Sequence, residues 1–91
     1  MKKFANVWDA LEESTDAAQS MKARAAIMLR IEKTARGWDV SQQQAARRLG
    51  ISQPRMNDLL RGKIDKFSLD SLFDLAARAG LKVSLAFRRA A

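Results

Sequence analysis

Apolar positions recur at intervals of three and four along most of this chain, and at intervals of two only near its C-terminus. That pattern predicts helices first and one strand last. A long helix is expected from Thr15 or Asp16, where an acidic first turn suits the positive end of the helix dipole. Met21, Ala25, Met28, Glu32 and Ala35 mark one seam along it, which Ile27 and Ile31 widen, and a stripe of this kind is core. Lys22, Arg30, Lys33 and Arg36 fall mostly off the stripe. Gly37 is expected to end the helix as its left-handed residue, with the Trp38 ring covering that end.

Two short helices follow. Ser41 with Gln44 three residues on is a capping box, and the helix it opens runs from Gln42 to Leu49, with Ala45, Ala46 and Leu49 apolar. Gly50 stops it. Ser52 caps the next helix, with Pro54 in the first turn, and Met56, Leu59 and Leu60 carry it to Arg61 before Gly62 closes it. A further helix is capped by Ser68 and carries Leu69, Leu72, Phe73, Leu75, Ala76 and Ala77 up to Gly80. From there Leu81, Val83, Leu85 and Phe87 alternate with Lys82, Ser84 and Arg88, the signature of a half-buried strand. A strand needs a partner for its backbone groups. The partner is either the same segment of a second copy or the chain's own Phe4 to Val7. The opening of the chain, Phe4 to Leu11, reads equally as such a strand or as a short helix capped by Asn6.

Length changes the picture little: 91 residues make one domain with one modest core. Cysteine and histidine change it more, because both are absent. Their absence excludes a disulfide scaffold, thiolate or imidazole metal sites, and Cys-His or Ser-His catalysis. A small domain without staples is expected in the cytoplasm. No membrane span is expected, and Lys2 and Lys3 are followed by acids where a signal peptide would be apolar. No Gly-rich phosphate loop and no evident pair of carboxylates in a pocket are present, so neither enzymatic activity nor a cofactor is expected. Net charge is +7, and it is uneven: residues 1–20 sum to −2 and residues 21–91 to +9. A small basic domain fits a polyanionic partner.

The segment Ser41 to Gly62 carries the functional information. A helix-turn-helix requires a small residue where its helices cross (Ala46) and a glycine four later for the turn (Gly50). It also requires apolar residues flanking the turn (Leu49, Ile51) and apolar residues facing the first helix (Met56, Leu59), and all six positions are met. The second helix then presents Gln53, Arg55, Asn57, Asp58 and Arg61 outward. Gln and Asn pair with the adenine edge and Arg with the guanine edge. Gln53 and Arg55, at the end that enters a major groove, are therefore the leading base readers, with Asn57 next. Asp58 is expected to orient Arg55 or Arg61. Gln42, Gln43, Arg47, Arg61, Lys63 and Lys66 are candidates for phosphate contacts. RNA binding is disfavoured, because no aromatic residues interleave the basic ones for stacking.

The run from Ser41 to Gly62 resembles the core of the lambda-repressor/Cro-like, or XRE, helix-turn-helix family. Gly62 to Asp70 and Leu72 to Val83 are similar to small HigA-type antitoxins and solitary XRE relatives, whose leading segment is matched by Phe4 to Leu11. The likeness departs at residues 6–16 and in the run Gln42-Gln43-Gln44. It implies an all-α helix-turn-helix bundle of lambda-repressor type, with about five helices and a C-terminal strand paired across a dimer. Residues 1–15 would be an N-terminal arm, 16–80 the helical domain, and 81–91 a dimerising strand and basic tail. The resemblance also implies a homodimeric repressor on a palindromic operator. In many relatives it implies neutralisation of a small, basic RelE/HigB-like ribonuclease toxin. It matches Gln42 to a phosphate-contacting position and Gln53 to a base-contacting one. The acidic arm with Phe4, Val7, Trp8 and Leu11 either docks such a toxin or packs on the long helix.

Overall fold

The computed structural model describes residues 16–87 and 89. Its elements are α1 (Asp16–Gly37), α2 (Gln42–Leu49), α3 (Gln53–Leu60), a 3-10 turn (Ile64–Lys66) and α4 (Leu69–Arg78). The long α1 packs along α4, α2 packs against α3, and α4 reaches across to α2. The shared core takes Ile27, Met28 and Ile31 from α1, Leu49 from α2, Met56 and Leu59 from α3, and Leu72 from α4. Phe67, from the connection between the 3-10 turn and α4, completes it at 1% exposure.

Four α-helices therefore stand among the described residues, and the expected fifth does not appear there. The alternative readings of Phe4 to Leu11 lie outside the described residues. The expected strand at Leu81 to Phe87 is not found either: no strand is present among the described residues. The physical reason is that the described residues offer this segment no neighbouring backbone to pair with. Its alternation is nonetheless visible at the start, where Leu81 and Val83 pack on the core while Lys82 and Ser84 are exposed. Further out, Leu85 and Phe87 are themselves exposed, Phe87 to 95%.

Two details of α1 depart from the periodic reading. Met21 is exposed, and the buried stripe begins instead at Ala23 and continues through Ile27 and Ile31 to Ala35. A step of two residues turns about 200° around a helix, so Met21 and Ala23 cannot share a face. Leu29 also faces outward, so apolar residues occupy both sides of α1 and periodicity alone does not choose between them. At the C-terminus, the helix runs through Gly37. Trp38 N–H bonds to the Ala35 carbonyl at 3.2 Å, and the left-handed residue is Asp39 (φ 54°), a residue type that tolerates this region. On α4, Ala77 of the expected stripe is exposed.

Candidate nucleic-acid interface

The turn between α2 and α3 is built from local hydrogen bonds. Ser41 caps α2: its Oγ accepts from Gln44 N–H at 3.1 Å, and the Gln44 side chain accepts from Ser41 N–H at 3.1 Å, completing the capping box. At the other end, Gly50 sits at φ 69°. Gly50 N–H bonds to the Arg47 carbonyl at 3.1 Å, and Ile51 N–H to the Ala46 carbonyl at 3.0 Å. This is a Schellman closure, in which the residue after the left-handed glycine returns to the last turn of the helix and packs there. It explains the Ala46–Gly50–Ile51 spacing: each residue occupies one fixed place in the closure. Ser52 then caps α3, accepting from Arg55 N–H at 3.2 Å, and Pro54 occupies the first turn.

A contact from outside the motif reinforces the turn. Arg78, in the last turn of α4, donates from Nη1 to the Leu49 carbonyl at 3.0 Å, and its Nη2 pairs with Asp74 at 3.2 Å. Periodicity gives no sign of the bond to Leu49, because it joins residues far apart in the chain. Only the Asp74–Arg78 spacing of four is visible beforehand.

The side chains expected to meet nucleic acid fall into two groups. Gln53, at the start of α3, is exposed, as are Gln43, Arg47, Arg61 and Lys66, and no hydrogen bond engages these side chains among the described residues. Gln42 is half-buried and lines an open groove with Asp39, Val40, Met56 and Leu60, which places the start of α2 beside the end of α3. Asn57 is half-buried on α3.

The second group is engaged within the chain. Arg55 donates from Nη1 to the Lys66 carbonyl at 3.1 Å, and its guanidinium carbon lies 4.2 Å over the Phe67 ring. Asp58 does not pair with Arg55 or Arg61 as the sequence suggests. It pairs with Lys63 Nζ at 3.5 Å, because the chain folds back after Gly62 and Lys63 N–H bonds to the Asp58 carbonyl. Arg48, next to the candidate Arg47, stacks 4.2 Å over Trp38, the ring that also packs on the core.

Ala46, Leu49, Met56 and Leu59 are buried and Ile51 is half-buried against them, so the six motif positions hold the two helices together as a unit. The α2–turn–α3 unit thus presents amide and basic side chains on a rigid support. Among the described residues, no group of three His, Cys, Asp or Glu side chains is placed to hold a metal ion, and no helix is long and apolar enough to cross a membrane. Compared with known families, residues 10–88 match the family model described as a helix-turn-helix domain. No curated protein matches the chain.

Proposed function

The chain belongs to this helix-turn-helix domain family, and from that premise we propose that it is a sequence-specific DNA-binding regulator that represses transcription as a homodimer. The observation that carries the reading is the exposed Gln53 at the N-terminal end of α3, beside a turn locked by Gly50 and flanked by exposed Arg47, Arg61 and Lys66. In this reading α3 enters the major groove, and Gln53 and Asn57 bond base edges. Gln42, Gln43, Arg47, Arg61, Lys63 and Lys66 take phosphates on either side, which fixes register and adds sequence-independent affinity.

Gln53→Ala is expected to cost about 1–3 kcal/mol of binding to the preferred duplex and to relax discrimination at one base pair. The check is selection from a randomised duplex pool, followed by titration of single-base variants of the winner. An intact chain that enriches no sequence from the pool would overturn the reading.

The dimer is supported by two considerations. One short recognition helix covers few base pairs, and two-fold pairing matches a palindrome about one helical turn apart. Leu81 and Val83 are seated on the core while Leu85 and Phe87 are exposed on a segment that has no strand partner among the described residues, which a second copy would pair and cover. Sedimentation at micromolar concentration is the test; a monomer would remove the dimer from the proposal.

The resemblance to HigA-type antitoxins extends the reading to a protein partner, a small basic ribonuclease toxin. Its support is in the sequence: residues 1–20 are acidic overall and carry Phe4, Val7, Trp8 and Leu11. A pull-down from the native host, nuclease-treated and washed at about 0.5 M salt to strip phosphate-driven contacts, tests it. Retention of a stoichiometric basic protein supports the antitoxin; its absence leaves a solitary repressor.

A further inference from the structure

Arg55 stands where a base-reading side chain is expected, yet the structure uses it elsewhere. The residue is half-buried, with its guanidinium bonded to the Lys66 carbonyl at 3.1 Å and stacked 4.2 Å over the Phe67 ring. The next carbonyl along, that of Phe67, accepts from Arg24 Nη1 on α1 at 3.2 Å. Two successive carbonyls are therefore held by arginines from two different helices. The segment is anchored at its start by Lys63, whose N–H bonds to the Asp58 carbonyl and whose Nζ pairs with Asp58, and at its end by the buried Phe67 ring; between them its carbonyls rest on the two arginines. Lys63, ahead of the 3-10 turn, makes no side-chain cap, and the backbone bonds within the turn are Lys66 N–H to Lys63 and Phe67 N–H to Ile64. Yet this segment carries two of the six candidate phosphate ligands, Lys63 and Lys66, and Lys66 is exposed.

Resting on the DNA-binding reading above, the geometry points to Arg55 as a positioning residue. It ties the first turn of the reading helix to the 63–67 segment, so that Gln53 and the lysines reach the duplex in one fixed relation. A guanidinium is suited to this because its flat face stacks on Phe67 while its edge still donates to a carbonyl. A lysine keeps the charge but loses the planar stack and the fork. Swinging Arg55 out to a base would give up both contacts and loosen the segment at Lys66, where its carbonyl bond lies. Its positioning role therefore predicts a loss of affinity shared by all sequences.

The experiment has a free-protein arm and a bound arm. In the free chain, the Phe67 ring is expected to shift the Arg55 side-chain proton resonances upfield. Arg55→Ala is expected to speed amide exchange of Phe67 by about tenfold while leaving Leu49 and Leu59 protected. Unchanged exchange at Phe67 would overturn the proposal, whether or not the chain binds DNA. In the bound arm, the probe is the duplex enriched from the randomised pool. Both Arg55→Ala and Arg55→Lys are expected to weaken binding about tenfold to this duplex and to its single-base variants alike, with the upfield shift kept in the wild-type complex. Loss of discrimination at one base pair only, together with loss of the ring shift on binding, would show Arg55 reading a base and overturn the proposal. Absence of any binding by the wild-type chain would instead overturn the DNA-binding reading, and the exchange result would then decide the role of Arg55 in holding the segment.

Discussion

Phe67→Ala is expected to lower the stability of the domain by about 3–5 kcal/mol, the usual cost of emptying a buried aromatic site. A domain of this size has only about 5–13 kcal/mol to lose, so the variant should be partly unfolded at moderate temperature. The reason lies in the position of the ring. Phe67 is 1% exposed, in a core shared by all four α-helices, and lies in an irregular segment that packing must hold in place. Its ring also supports the Arg55 guanidinium, and its carbonyl receives Arg24. Urea denaturation followed by far-ultraviolet circular dichroism gives the magnitude. Phe67→Leu keeps most of the volume and should cost less than about 1.5 kcal/mol. A loss below about 1 kcal/mol for the alanine variant would mean that the core closes without this ring.

Gly50→Ala is expected to cost about 2–3 kcal/mol, and Gly62→Ala noticeably less, although both glycines have φ of 69°. The shared part is the left-handed conformation, which costs an L-residue about 1–2 kcal/mol. The difference comes from Arg78. A Cβ on Gly50 would lie 2.6 Å from Arg78 Nη1, whereas around Gly62 nothing lies within 4 Å. The Arg78 side chain is flexible and can move, but moving forfeits its bond to the Leu49 carbonyl, about 0.5–1.5 kcal/mol. A double-mutant cycle with Arg78→Ala isolates that part. In the Arg78→Ala background the cost of Gly50→Ala should fall to that of Gly62→Ala. Equal costs for the two glycine variants in the wild-type background would mean that the clamp on the turn adds nothing to stability.

The parts of this molecule that were legible beforehand are those held by neighbours in the chain. The start and end of α2, the cap of α3 and the Gly50 turn were read correctly because each is closed by hydrogen bonds spanning three to five residues, from Ser41 to Gln44 and from Ala46 to Ile51. The membership of residues 10–88 in a helix-turn-helix family accords with that reading. The helix α1 ends at Gly37 as the sequence suggests, but its left-handed residue lies two positions further on. Asp39, not Gly37, takes the left-handed conformation, since the preference for glycine at such a position is strong without being obligatory. The terminal strand is absent among the described residues for a different reason: its alternating pattern is real, but a strand exists only where another backbone lies alongside.

By itself, then, the sequence determined the helical order, the capping of the short helices, the turn and the inventory of amide and basic groups around it, since all of these depend on spacing within a few residues. Packing between distant segments sets which face of α1 is buried, that Phe67 closes the core, and that Arg55, Arg24 and Arg78 direct their guanidinium groups to carbonyls of the 49–67 region. A long, flexible cation has no periodic signature. Where it points is set by which unpaired carbonyls the packed helices bring within reach, and Arg24 meets Phe67 across 43 residues of chain.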